Sequence, residues 1–185
     1  MNTITLDIDT RKLENSAALI AAAETEDELG AVLRFHLATE NLLSFYINER
    51  NKGELSKYAK EPNNFGGKLA LAAAFGLPIP LARIAHQINV IRNKLAHEPQ
   101  SSISDGDLSE LVRNVNRLTE IDPEFAPVEK RYIELAAKNP GEKLSFGEHG
   151  NRVDFVLAAF SFYSAAPKHI LIDIASRRLA QPTAE

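Results

Sequence analysis

The sequence predicts an all-α protein, a single-domain helical bundle of about five to seven helices. Apolar residues recur at spacings of three and four along most of its 185 residues, which is the period of helices with one buried face. Residues typical of helix N-caps precede these segments, and Gly or Pro follows several of them. A hydrophobic content of 44% is enough for one core.

The chain begins with two short predicted elements and one long helix. Residues 3–8 (TITLDI) alternate in polarity and predict a strand, and residues 14–24 predict a short helix. Residues 25–50 predict a long helix, because Thr25 as N-cap and Glu28 three residues later form a capping-box pattern. The apolar residues that follow have helical spacing.

A polar loop is predicted over residues 52–64, and a short helix over residues 65–76. Asn64 precedes this helix as its cap. Gly76 stands just after it, at the C-terminal position that favours glycine.

Residues 81–97 predict the helix that carries the candidate site. Pro80 suits the start of this helix, where a missing N–H has no cost, and Pro99 predicts its end. Its apolar residues share one side, which we expect to face the core: Leu81, Ile84, Ile88, Ile91 and Leu95.

Two helices are predicted after residue 100. Ser104 or Asp105 is the expected cap of an amphipathic helix that begins at about Leu108. Residues 127–141 predict a shorter helix, which ends at an Asn-Pro-Gly sequence.

The C-terminal region predicts two more helices. Residues 152–163 are apolar nearly all round, which indicates a central helix or an interface, and Ser145 with Glu148 forms a second capping-box pattern before it. The last helix begins at about Pro167, and two arginines near its end suit a helix C-terminus. The alternating stretch HILIDIA leaves a strand as the alternative there.

The predicted domain organisation has a partly ordered N-terminal extension at 1–24, a helical domain at 25–180 and a flexible tail at 181–185. The net charge of −4 excludes a broad basic surface, so we expect no direct DNA binding. The longest apolar run, 69–82, contains two prolines and is too short to cross a membrane. With no Cys and no signal-peptide pattern, we expect a cytoplasmic protein without membrane contact.

The helix at 81–97 also carries a polar stripe. His86, Asn89, Asn93 and His97 lie at i, i+3, i+7 and i+11, opposite the apolar side. Arg92 lies between the two sides, about 140° from His97 around an ideal helix. A solvated helix face usually carries Lys and Glu instead, so amides, an Arg and histidines indicate a site or a subunit contact.

These residue types fit metal-independent cleavage of an RNA phosphodiester, and we expect no cofactor. Histidine is the side chain suited to proton transfer near neutral pH, so we expect His97 to deprotonate the ribose 2′-hydroxyl or to protonate the leaving oxygen. Arg92 stabilises the charge at the phosphorus centre. One His does half of the proton transfer, so a symmetric dimer would supply the second. The alternative explanation is that the helix dipole favours cations at a helix C-terminus.

The sequence RNKLAH, residues 92–97, resembles the Arg-x4-6-His signature of the HEPN superfamily. Residues 65–97 are similar to the mannitol-operon-repressor branch of that superfamily, and the likeness extends over about 25–120. The resemblance implies an up-and-down bundle that dimerises through the motif helix. It also implies a metal-independent endoribonuclease of toxin–antitoxin or phage-defence type, with Arg92 and His97 catalytic and Asn93 as the intervening polar residue.

The mannitol-repressor branch implies a different function. Resemblance to this branch implies a non-catalytic regulator of transcription that acts through protein contacts. The expected partners are therefore a second copy of the chain and either an RNA substrate or a protein such as an antitoxin.

Other polar residues are further candidates for the site. His36 and Glu40 are i, i+4 on the long helix, where they either line the same cleft or form an exposed pair. They lack the His-Glu-x-x-His pattern and a third ligand, so we expect no metal. His149 and Arg152 are interpreted as an exposed cap region, and His169 as a surface residue.

Overall fold

The computed structural model describes residues 8–13, 16–97, 102–135, 137–138 and 140–180. This part of the chain contains six α-helices and one short antiparallel strand pair, so the predicted all-α, single-domain bundle is confirmed. The helices are α1 (Ser16–Ala23), α2 (Glu28–Arg50), α3 (Phe65–Ala74), α4 (Ile79–His97), α5 (Asp105–Asn116) and α6 (Asn151–Ala180). The strands are β1 (Tyr132–Ile133) and β2 (Leu144–Ser145), with Tyr132 opposite Ser145.

The N-terminal helices form where they were predicted, with one different cap. The α2 helix begins after Asp27, whose carboxylate accepts a hydrogen bond from Gly30 N at 2.6 Å. The predicted capping box of Thr25 and Glu28 is wrong. Glu28 is the first residue of the helix, and its carboxylate accepts from Ile103 N at 2.6 Å. Helix α2 is thereby linked to the segment before α5.

Helix α1 belongs to the packed core through Ala22 and Ala23, both buried. Residues 3–7 of the predicted strand and the tail at 181–185 lie outside the described residues.

The caps of α3 and α5 are those that the sequence predicted. The Asn64 side chain accepts from Gly67 N at 2.8 Å, and Gly76 follows α3 with a φ of 91°, a conformation that glycine favours. Ser104 caps α5 by accepting from Asp107 N at 3.1 Å.

The helix predicted at 127–141 is wrong. Its described residues form a short 3-10 turn, Val128–Lys130, followed by β1. Ile133 and Leu135 turn inward while Tyr132 and Glu134 are exposed, so burial alternates with the period of a strand.

The two helices predicted near the C-terminus form one continuous helix. Helix α6 is 30 residues long and continues through Pro167. Buried residues on both sides, such as Phe162 and Ile170, anchor it in the core, and this packing outweighs the hydrogen bond that Pro cannot donate. The predicted capping box at Ser145 and Glu148 is wrong, because Ser145 lies in β2 and the helix begins six residues later.

The first half of helix α6 is buried nearly all round, as its apolar sequence indicated. Phe155 is fully buried and packs edge-on against Phe35 of α2, with ring centroids 5.8 Å apart. By length and composition α6 could span a membrane, but 61% of the apolar window is buried inside the bundle. The protein has the form of a soluble domain.

The apolar side of α4 is buried, as expected: Leu81, Ile84, Ile88, Ile91 and Leu95.

Candidate functional site

The polar stripe of α4 meets α2 at a buried histidine. The Nε2 atom of His36 lies 3.0 Å from Oδ1 of Asn89. The His36 ring is 7% exposed and stacks on Phe65 at the start of α3, with ring centroids 4.3 Å apart. Three helices therefore meet at this ring, and the interpretation of His36 as part of an exposed helix pair is wrong.

The sequence carried a signal for the burial of His36. It lies four residues after Val32 and seven before Leu43, both fully buried, so helical spacing places it on the apolar side of α2.

The surroundings of His36 favour its neutral form. Burial lowers its pKa below the usual 6.5, and the charge of Arg92 lowers the pKa further. The hydrogen bond to Asn89 and the carboxylate of Glu40 act in the opposite direction and do not cancel these effects. Because the Asn89 oxygen can only accept, the neutral ring carries its hydrogen on Nε2 and donates it to Asn89.

Arg92 lies one turn further along α4 and is partly buried. Its Nη1 atom donates to Oδ1 of Asn93 at 3.0 Å. Its Nε atom is buried and has no hydrogen-bond partner among the described residues. Because this nitrogen is enclosed, an anion would meet the positive charge of the guanidinium without bonding to Nε, and contacts assisted by charge are the stronger ones.

The amides beside Arg92 are oriented by these contacts. Asn89 and Asn93 each use the side-chain oxygen within the protein, toward His36 and Arg92 respectively. Each amide therefore has its N–H2 group left for a ligand, and this group can only donate hydrogen bonds. Positions 89, 92 and 93 are neighbours on the helix surface. This part of α4 therefore offers N–H donors and a positive charge, a set that suits an anion.

His97 is the last residue of α4 and is exposed. No hydrogen bond joins it to Arg92 within the described part of the chain, where the Nη1 atom of Arg92 donates to Asn93. His86 is also exposed, on the same side of the helix as His97. Lys94, three residues before His97, holds α4 to α5 through an ion pair with Asp107, at 2.7 Å.

Glu40 belongs to an ion-pair chain between α2 and α3. Lys68 Nζ lies 2.9 Å from Glu40 and 3.3 Å from Glu61. Burial alone would lower the pKa of Lys68, but its two carboxylate partners outweigh this effect and raise it. Glu40 thus lies near the ring of His36, as its effect on that pKa indicates, while Lys68 offsets its charge.

Three other sequence candidates lie away from α4. His169 is not a surface residue: it is 8% exposed, lies in the middle of α6, and its Nε2 is 3.3 Å from Asp122. Arg152 is not an exposed cap, because it donates to the backbone oxygens of Ala23 and Thr25 and joins α6 to the α1–α2 connection. His149 is exposed, as predicted.

A cavity of about 730 Å³ lies on the outer side of α5, with Leu108, Val112 and Phe146 among its lining residues. It contains no residue of the polar stripe. Its two arginines, Arg113 and Arg117, form ion pairs with nearby glutamates. Within the residues that the structure describes, no cluster of three or more His, Asp or Glu side chains is suited to hold a metal ion.

Neither a family model, nor a curated protein, nor a solved structure matches this chain. Its function must therefore be inferred from the residues and their geometry.

Proposed function

We propose that this protein is a cytoplasmic, metal-independent endoribonuclease of the HEPN type, with a toxin or phage-defence role. The observation that carries the proposal is the donor surface of α4. Partly buried Arg92, which forms no ion pair within the described residues, lies next to two amides whose oxygens are used inside the protein, five residues before an exposed His97. Such a set supports binding of a phosphodiester with a proton-transfer group nearby.

The proposed reaction needs no metal or cofactor. One His97 removes the proton from the ribose 2′-hydroxyl, and the 2′-oxygen attacks the phosphorus. The bond from phosphorus to the 5′-oxygen breaks, and a second His97 gives that oxygen a proton. The products are a 2′,3′-cyclic phosphate and a 5′-hydroxyl. Arg92 stabilises the negative charge that builds up on the phosphoryl oxygens.

This scheme requires a homodimer, because His97 and Arg92 lie about 140° apart on one helix. Two exposed apolar side chains support such a contact: Leu37 of α2 is 58% exposed and Ile79 of α4 is 64% exposed. Ile79 and His97 are 18 residues apart, five full helical turns, so they project in the same direction. A two-fold axis that passes close to the C-terminal end of this face would bring both copies of His97 toward each other.

The test is cleavage of total RNA and tRNA by the purified protein in EDTA. His97→Ala and Arg92→Ala should each reduce cleavage by about a hundredfold or more. His149→Ala is the matched control, an exposed histidine outside the site, and should cleave like the wild type. All four proteins are compared by circular dichroism to establish equal folding. Absence of cleavage by the wild type would contradict the ribonuclease proposal.

The second candidate is a non-catalytic regulator of the mannitol-repressor type that binds a protein partner. The exposed leucines of α2, Leu29 and Leu37, favour this candidate, because exposed apolar side chains suit a protein interface. In that case the polar stripe of α4 is a subunit or partner contact, and His97→Ala would weaken assembly without any RNA cleavage to lose.

A further inference from the structure

The anion-binding character of α4 depends on how the Asn89 amide is oriented. An asparagine side chain can present either its oxygen or its N–H2 group to a ligand. A phosphate oxygen needs a donor, and an outward-facing amide oxygen would repel it. At Asn89 the orientation is decided inside the protein, because its oxygen accepts the hydrogen of His36 at 3.0 Å.

We propose that His36 is a positioning residue for a phosphate-binding set made of Asn89, Arg92 and Asn93. Its Nε2–H holds the Asn89 oxygen, so that the Asn89 N–H2 group joins the Arg92 guanidinium and the Asn93 N–H2 group as donors to one phosphate group of an RNA backbone. The inference rests on the proposed function for the identity of the phosphate as part of RNA.

The surroundings of His36 keep it in this role. The ring is stacked on Phe65 and is 7% exposed, so it has little freedom to rotate away from Asn89. His36 is too little exposed to transfer protons to a substrate. It acts through Asn89, as outer residues do when they orient the groups that bind a ligand.

The charges facing His36 come from three helices. Glu40 lies on α2 itself and Arg92 lies on α4. Lys68 of α3 forms an ion pair with Glu40. Lys68 is held between Glu40 and Glu61, so it offsets part of the charge of the carboxylate nearest the site. Arg92 has no carboxylate partner among the described residues, and its charge remains for an anion.

The Arg92–Asn93 hydrogen bond completes the set. The Asn93 oxygen accepts a hydrogen bond from Nη1 of Arg92, so it is occupied within the protein, as the Asn89 oxygen is. The Nε of Arg92 is enclosed, so the guanidinium adds its positive charge to the amide donors rather than a hydrogen bond from Nε. One phosphate group has enough oxygen lone pairs to accept from all of them, and charge-assisted bonds of this kind are the stronger ones.

The experiment compares the full chain with His36→Gln and His36→Phe. The Gln amide replaces the Nε2–H donor, whereas Phe keeps a flat ring against Phe65 and has no donor. Binding of inorganic phosphate, and of a deoxydinucleotide that lacks the 2′-hydroxyl and stays intact, is followed by NMR. The signals monitored are the side-chain N–H groups of Asn89, Arg92 and Asn93.

We expect both probes to shift these signals in the wild type and in His36→Gln with similar affinity. In His36→Phe the affinity should fall about fivefold to tenfold, the loss expected for one hydrogen bond, with an unchanged melting temperature. Equal affinity in His36→Phe, or no response of the Asn89 signal to either probe, would overturn the inference.

A second variant keeps the test decisive if His36→Phe does not fold. Asn89→Asp has the same shape and still accepts from His36, but it replaces the N–H2 donors by a negative oxygen. It should fold like the wild type and lose phosphate binding, and retained binding would exclude Asn89 from the set.

Failure of the proposed function has a different result. If the deoxydinucleotide binds and shifts Asn89 while RNA stays uncut, the ribonuclease proposal is wrong and the role of His36 stands. If RNA is cut and His36→Phe has unchanged kcat and KM, the role of His36 is wrong and the ribonuclease stands.

Discussion

The stability of the protein should depend on pH through His36. In the folded state burial lowers the pKa of His36 from 6.5, whereas the exposed ring of the unfolded chain keeps a pKa of about 6.5. Below that pH the unfolded state binds a proton that the folded state does not accept, so the free energy of unfolding decreases. One group contributes at most about 1.4 kcal/mol per pH unit, and the decrease ends below the folded-state pKa.

The assay is urea unfolding of the wild type and His36→Phe at steps from about pH 7.5 to about pH 5. Carboxylates titrate in both proteins, so their contributions cancel in the difference between the two free energies of unfolding. That difference should turn against the wild type between about pH 6.5 and 5.5, by at most about 1 kcal/mol. A difference that does not change with pH, or a wild type that gains stability in acid from a charged His36–Glu40 pair, would refute a buried neutral ring.

Two further predictions concern the ion-pair chain and the exposed face. Lys68→Met leaves Glu40 and its neighbouring carboxylate without their cation, and we expect a loss of about 1–3 kcal/mol in urea unfolding. Lys57→Met, which removes an exposed pair, should change stability by less than about 0.5 kcal/mol, and equal losses would show that burial of the Lys68 pair is unimportant. Leu37→Glu places a charge on the proposed dimer face and should convert a dimer into a folded monomer in sedimentation experiments; an unchanged dimer would place the subunit contact elsewhere.

Local sequence signals predicted most of the helices because each depends on residues close together in the chain. Asn64 and Ser104 cap helices through hydrogen bonds to residues three positions later. The core side of α4 follows from the period of a helix alone. The polar stripe followed from the same period, and with it the residues that the structure brings next to α2.

The incorrect predictions arose where packing outweighs a local rule. Pro167 indicates a helix start in sequence, yet α6 passes through it because the flanking turns are buried. Residues 127–141 have apolar spacing that fits part of a helix, but Ile133 and Leu135 pack with the period of a strand. The surface prediction for His169 followed from the predicted helix start at Pro167, whereas in the structure His169 is buried in the middle of α6 and contacts Asp122, 47 positions away.

The sequence alone determined that the protein is helical, where most helices begin, and that Arg92, Asn93 and His97 share one helix. These properties depend on spacing and capping within a few residues. The tertiary structure decided that His36 is buried, that it holds Asn89, and that Lys68 holds Glu40. Those contacts join α2, α3 and α4, and their residues are 28 to 53 positions apart. Only the packing of whole helices brings them together, and that packing turned a polar stripe into a set of oriented donors.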